Sequence, residues 1–253
     1  MKSKLMLAAC VAAALSFGAA AVQAAVPGDI AAAVADKDRP AADVQRDAER
    51  KPAEMLEFAG VRPGMTIVEL IPGGGYFTRI FAKAVGPTGV VYAVFPPPMA
   101  SNDPAKPTPT PAIERIAAEP GYGNIKPLPV SPTGFTAPTP ADLVWTSQNY
   151  HDLHNVPNLD MGAFNRNVFK ALKPGGIYVV LDHVANPGDP AVTHTLHRID
   201  PAVVKQEVEA AGFKFVGESD VLRNPNDDHT KAVFDPAIRG HTDQFVYKFQ
   251  KPN

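Results

Sequence analysis

Cysteine is nearly absent from this 253-residue chain: Cys10 is the only one. If the N-terminal stretch that carries it is removed, the rest has no disulfide and no thiolate for a metal or a substrate. Packing alone must then hold the fold. A basic excess is also missing, since 24 Lys and Arg face 26 Asp and Glu for a net charge of -2. That balance argues against a nucleic-acid surface, which needs cations to neutralise phosphates. Beyond the N-terminus no run approaches the roughly 18 uninterrupted apolar residues of a membrane span.

The first residues, MKSKLMLAACVAAALSFGAAAVQAAVPGD, place Lys2 and Lys4 ahead of an apolar stretch that ends in small residues around Ala24. This is the order of a secretory signal peptide, so residues 1–25 are expected to be cleaved and the mature protein to be periplasmic. LAAC, ending at Cys10, also spells a lipoprotein-type site, but few apolar residues precede it. Roughly 230 residues remain, which suits one large domain. Many of the 27 prolines fall between Pro96 and Pro140 and mark a long irregular stretch.

Residues 26–60 read as an N-terminal helical segment. Val44, Ala48, Met55, Leu56 and Ala59 recur at mixed helical spacing around Pro52, which predicts two short helices. From residue 61 to 253 strands and helices alternate. TIVELI is a short branched run bounded by turns, as a buried strand is. After Gly73–Gly75, the residues Phe77, Ile80, Phe81, Ala84 and Val85 recur at three and four and stop at Gly86. GVVYAVF, IKPLPV, ADLVWTS and IYVVLDHV read as further strands, and TPAIERIAAEPG, LDMGAFNRNVFKALKPGG and PAVVKQEVEAAG as helices. FKFVGESDVL and QFVYKFQK close the chain as an antiparallel hairpin at the end of the sheet. The alternation predicts an α/β domain whose parallel sheet is covered on both faces.

A glycine turn between a first strand and a helix lets backbone N–H groups and a helix N-terminus approach a ligand at the carboxyl ends of the strands. VELIPGGGYFT has that context. Together with ADLVWTSQNYHDLHN and ALKPGGIYVVLDH, it resembles the class I S-adenosylmethionine-dependent methyltransferases, and within them a branch of exported, predicted methyltransferases. The resemblance covers nearly all of the chain after the signal. It implies a Rossmann-like seven-stranded sheet, mostly parallel with an antiparallel last strand, S-adenosylmethionine as cofactor and a small-molecule acceptor. It also implies that Glu69 orients the loop, that Gly73, Gly74 and Gly75 pass close to the cofactor, and that Tyr76, Phe77 and Thr78 open the helix beside it. Three positions depart from the family pattern: Ile71 replaces a usual glycine, and Phe95 and Ser131 replace acids that usually meet the ribose and the adenine. Phe95 is kept as a stacking surface for adenine.

Asn149, Tyr150, His151 and Asp152 follow the fourth strand and are expected to point into the cleft, with Asn149 near the cofactor and Tyr150 and His151 as catalytic candidates. A histidine there titrates near working pH and can take a proton from an acceptor. His151 with His154, and His194 with His197, form two H-x-x-H pairs, but i, i+3 spacing is only half a metal site and no metal is assigned. Asp47, Arg50 and Lys51 read as a solvated cluster, with the alternative that an N-terminal segment folded over the cleft uses these charges on a substrate or on the cofactor carboxylate. The connection 223–243 reads as a long loop that Arg223, Asp228, Arg239 and Asp243 order through ion pairs. Because S-adenosylmethionine is a charged cytoplasmic metabolite, a non-catalytic ligand-binding module on the same fold is the alternative. A metal-dependent hydrolase is a third reading.

Overall fold

A computed structural model describes residues 27–98, 108–188 and 191–253; the expected signal peptide, with Cys10, lies outside the described residues. Four short helices come first: α1 (Gly28–Val34), α2 (Ala41–Val44), α3 (Asp47–Arg50) and α4 (Pro52–Ala59). The sequence predicts two of them, broken at Pro52. The break falls at Lys51, whose φ of 46° is left-handed, consistent with a proline ring that disfavours helix in the residue before it. The core alternation follows as β1 (Thr66–Leu70), α5 (Tyr76–Val85), β2 (Val90–Phe95), α6 (Ala112–Ala117), β3 (Ile125–Pro129), β4 (Ala141–Ser147), α7 (Tyr150–Leu153) and α8 (Met161–Ala171). β5 (Leu172–His183), α9 (Val192–Thr195), α10 (Pro201–Ala210), β6 (Lys214–Ser219) and β7 (Gln244–Gln250) complete it.

The seven strands form one sheet in the order β3-β2-β1-β4-β5-β7-β6. β1 to β5 run parallel, and β7 is antiparallel to both of its neighbours. The closing pair is antiparallel as expected, yet its last strand does not end the sheet: β7 inserts between β5 and β6. β3, with Pro127 and Pro129, is the outer edge, where a missing N–H costs no ladder bond. β5 is longer than the expected IYVVLDHV because it takes in Leu172–Gly176, and its register with β4 shifts between Ala141 and Leu143.

Neighbouring strand residues point to opposite faces, so the sheet carries two apolar layers. Ile67, Trp145 and Val179 face the layer that holds Ile30, Met55, Phe77 and Phe81. Val68, Val144 and Val180 face the layer that holds Tyr150, Phe164 and Val204. Helices therefore cover both faces, and the N-terminal helices belong to the first layer. Trp145 is edge-on to Phe77 at 4.9 Å and to Phe81 at 5.4 Å, contacts of about 0.5–1.5 kcal/mol each beyond their burial. They fix α5, and hence the loop before it, against β4. Strand order reverses between β1 and β4, the switch point at which open α/β sheets hold ligands.

Candidate functional site

β1 stops at Leu70, and the chain must turn within five residues to start α5. It does so through left-handed residues: φ is 52° at Ile71, 57° at Gly73 and 86° at Gly75. Ile71 thus holds a backbone that glycine adopts freely, at a cost of roughly 1–2 kcal/mol for a side chain with a Cβ. The strain is held by bonds on both sides: the Ile71 N–H donates to the Val94 carbonyl at 2.8 Å, and Asn149 Nδ2 donates to the Ile71 carbonyl at 3.1 Å and to that of Ser147 at 2.7 Å. Gln148, across the cleft, is also left-handed at 60°. Non-glycine residues in this conformation cluster at functional sites.

The three glycines do different work. A Cβ on Gly73 or Gly74 would meet nothing within 4 Å, so both present open backbone. A Cβ on Gly75 would lie 2.4 Å from Ile116 Cδ1, so this residue serves the packing of α6 and the entry into α5. The first turn of α5 has no side-chain cap and no acidic residue, which leaves its N–H groups and the positive end of the helix dipole facing the loop.

A cavity of about 230 Å³ opens there, and its wall includes Glu69, Ile71, Gly73, Gly74, Tyr76, Phe77 and Asn149. Gly75 and Phe95 are not in its lining. Phe95 is 9% exposed and packs in the apolar layer with Ile113 and Ile116, while Ser131 is exposed and bonded to Thr133. Glu69 is buried; burial raises its pKa to about 7, against the Thr78 hydroxyl, which donates to Oε2 at 2.5 Å, and the charge of Arg50.

Sequence reasoning did not place Arg46, Ser147 or Gln148 in this wall, and put Arg50 over the cleft only as the alternative to a solvated cluster; all four line it. Arg50 is not part of a solvated cluster. Its guanidinium lies 4.5 Å from the Tyr76 ring centroid and 4.8 Å from that of Phe77, and donates to Ser147 Oγ at 2.9 Å. Burial lowers its pKa to about 10, so it stays a cation at neutral pH. Asp47 is bound on two sides, by a bidentate Arg39 at 2.6 and 2.8 Å and by the Tyr76 hydroxyl at 2.6 Å. Arg39 is 5% exposed; this knot ties α3 to the first residue of α5 and sets Arg46 and Arg50 over the glycine loop.

A second cavity, of about 610 Å³, shares Arg46, Arg50 and Gln148 with the first. Its far wall comes from the 220–243 connection, through Val233, Phe234, Arg239, Gly240 and Thr242, so this loop roofs it. Arg223 pairs with Asp243 as expected, and Asp228 turns instead to Thr230. The missed anchor is Arg198, fully buried, which pairs with Asp227 at 2.9 Å and donates to the Val184 and Lys231 carbonyls. Among the described residues Arg46, Arg50 and Arg239 have no carboxylate partner within salt-bridge distance. His183 lines this cavity; burial lowers its pKa to about 4, against the pull of Asp182, and its Nδ1 lies 2.7 Å from Thr242 Oγ1.

Asn149 reaches the cleft, but Tyr150 and His151 line neither cavity. Tyr150 does not point into the cleft as expected: α7 turns it into the opposite apolar layer, where its hydroxyl donates to Glu207 at 2.8 Å and accepts from Asn165 at 2.7 Å. His151 is buried, with Nδ1 2.8 Å from Asp182 Oδ1, and the other Asp182 oxygen accepts its backbone N–H at 2.8 Å. Burial opposes protonation of His151, but Asp182 and Asp152 outweigh it and hold the pKa at about 10. These carboxylates favour the protonated ring over a free base.

No protein-family model matches the chain. The ubiquinone/menaquinone biosynthesis C-methyltransferase UbiE of Hydrogenovibrio crunogenus is 33% identical over 129 residues, 50% of this chain and 45% of that protein. The UbiE of Ectopseudomonas mendocina is 27% identical over 70% of this chain and 66% of its own length. The chain thus spans about half to two thirds of these relatives. A SAM-dependent methyltransferase from Aquifex aeolicus shares the fold with a TM-score of 0.54 at 17% identity, over 85% of this chain and 99% of that one. The 1,6-didemethyltoxoflavin-N1-methyltransferase of Burkholderia thailandensis, solved with S-adenosylhomocysteine, does so with a TM-score of 0.52 at 15% identity, over 84% and 79%. The fold is the Rossmann-like methyltransferase fold, and part of the chain is similar in sequence to UbiE.

Proposed function

We propose that the protein binds S-adenosylmethionine at the glycine loop and transfers its methyl group to a small anionic acceptor held in the larger cavity. The observation that carries this reading is the junction of the two cavities at Arg46, Arg50 and Gln148. The loop fits the cofactor: Gly73 and Gly74 offer open backbone, the first turn of α5 offers uncapped N–H groups, and Arg50 offers a buried cation for a carboxylate. When bound, the cofactor supplies an electrophilic methyl carbon on a sulfonium. The chain's part is alignment, holding a nucleophile in line behind that carbon. Three arginines without carboxylate partners, against the single Glu49, make the larger cavity a site for an anion, and Phe234, 60% exposed, offers it an apolar face.

Tritium-labelled methyl S-adenosylmethionine incubated with the protein and a small-molecule extract tests this. Label is expected in a product retained on an anion exchanger. Label only in neutral or cationic products would refute the acceptor class, and no transfer with no cofactor binding would refute the activity. The signal-like N-terminus supports export, as part of the same proposal; N-terminal sequencing of periplasmic protein is expected to begin near residue 25, and intact Met1 there would contradict it.

A further inference from the structure

Neither H-x-x-H pair is brought together in the way its spacing suggests. His154 turns to Glu207 at 3.2 Å, and the histidine that meets His151 is His197, from the turn after α9, with ring centroids 5.5 Å apart and planes at 89°. Asp152 lies between them: its Oδ1 is 3.3 Å from His151 Nε2 and 3.7 Å from His197 Nδ1. All three donor atoms fall within 4.8 Å of one another.

The geometry points to a divalent metal site, of the kind zinc occupies, formed by His151 Nε2, Asp152 Oδ1 and His197 Nδ1. A tetrahedral ion with bonds of about 2.0–2.1 Å separates its ligand atoms by about 3.3–3.4 Å. Two edges of the triangle, at 3.3 and 3.7 Å, are close to that spacing, and the third lies within 4.8 Å. The outer shell is built as well. The Nδ1 of His151 is held at 2.8 Å by Asp182, which is fully buried and is itself fixed by the backbone N–H groups of His151 and His183. A carboxylate behind a histidine in this way sets the ring so that the opposite nitrogen faces a metal.

Two further features belong to the same place. His197 is held left-handed at φ 54°, a non-glycine residue in a strained conformation, and its ring packs edge-on to Phe234 at 4.8 Å. Phe234 lines the larger cavity, so the metal sits beside its roof. The half-exposed Asp152 side chain leaves a fourth position open to water, the arrangement of a site with three protein ligands. Donor chemistry of two imidazoles and one carboxylate suits zinc and its first-row neighbours above magnesium or calcium.

The test uses the full mature chain, stripped with chelator and titrated with cobalt(II) by visible absorption and with zinc by calorimetry. One equivalent of cobalt with tetrahedral d–d bands, displaced by one equivalent of zinc, is expected. His197→Ala and Asp152→Asn are each expected to weaken zinc binding by about 10-fold or more, and Asp182→Asn by about 10- to 100-fold. His194→Ala, in α9 just before that turn, is expected to leave it unchanged. His197 is partly exposed, and circular dichroism of His197→Ala separates a lost ligand from a lost fold. Absence of saturable uptake, or zinc affinity indifferent to His197→Ala in a folded variant, would overturn the site. Equal losses in His194→Ala and His197→Ala would do the same, since they would mark non-specific histidine binding. Neither result bears on whether the glycine loop binds S-adenosylmethionine.

Discussion

Replacing Glu69 by Gln removes one proton from the balance between folded and unfolded chain while keeping an acceptor for the Thr78 hydroxyl. In the folded protein burial raises the Glu69 pKa from 4.5 to about 7. Between those values the native state holds a proton that the unfolded state has released, so wild-type stability falls as pH rises through this window. One pKa unit is about 1.36 kcal/mol, and integrating the two titrations from pH 5 to pH 8 gives a loss of about 2.5 kcal/mol attributable to this carboxyl. Other groups titrate over the same range; His151, for example, contributes stability below its unfolded pKa of 6.5 that is lost as pH rises toward about 10. Their effect is common to both proteins and cancels in the difference. Urea unfolding of wild type and Glu69→Gln at pH 5, 6, 7 and 8 reads that difference directly, with the variant expected to gain on wild type across the series. Parallel profiles, or a wild type that gains on the variant, would refute the claim that Glu69 is buried with an elevated pKa.

Ile71→Gly and Ile71→Ala remove nearly the same side chain, but only glycine accepts the left-handed backbone freely, so the Gly variant is expected to be more stable than the Ala variant by about 1 kcal/mol. Equal stabilities would contradict the positive φ. Gly75→Ala, which meets Ile116 at 2.4 Å in a left-handed conformation, is expected to cost about 1–3 kcal/mol by denaturant unfolding, and Gly74→Ala, facing open space, less than about 0.5 kcal/mol. Arg50→Met is expected to weaken S-adenosylhomocysteine binding by about 10-fold or more, the worth of a charge-assisted hydrogen bond. Arg239→Ala, which lines only the larger cavity, is expected to leave that affinity unchanged and to raise the acceptor KM.

The glycine turn was legible because its signals are local: a branched run, a cluster of glycines and a helical period follow one another within 20 or so residues. The role of Arg50 was legible only as the alternative to a solvated face, because it depends on Ser147, 97 positions away, and on two aromatic faces that only the folded chain supplies. The same holds for His151 and Asp182, 31 positions apart on α7 and β5. The H-x-x-H spacing did not give the partners, since His151 meets His197 where α7 and α9, which follow the neighbouring strands β4 and β5, pack together. For Tyr150 a signal was present: Leu153 follows three residues later, the spacing of one buried helical face, and the two share an apolar layer. The placement of β7 inside the sheet was not legible, because a hairpin pairs its two strands in the same way whichever of them lies outermost.

Calorimetric titration of S-adenosylhomocysteine into wild type and Gly74→Val tests the cofactor loop most directly. The added side chain meets no protein atom within 4 Å of its Cβ and enters the cavity beside the loop. One binding site in wild type is expected, with at least a 10-fold loss in a Gly74→Val variant of near wild-type stability, on the principle that only close backbone approach requires glycine there. No binding by wild type at millimolar ligand, or equal binding by both proteins, would contradict the account.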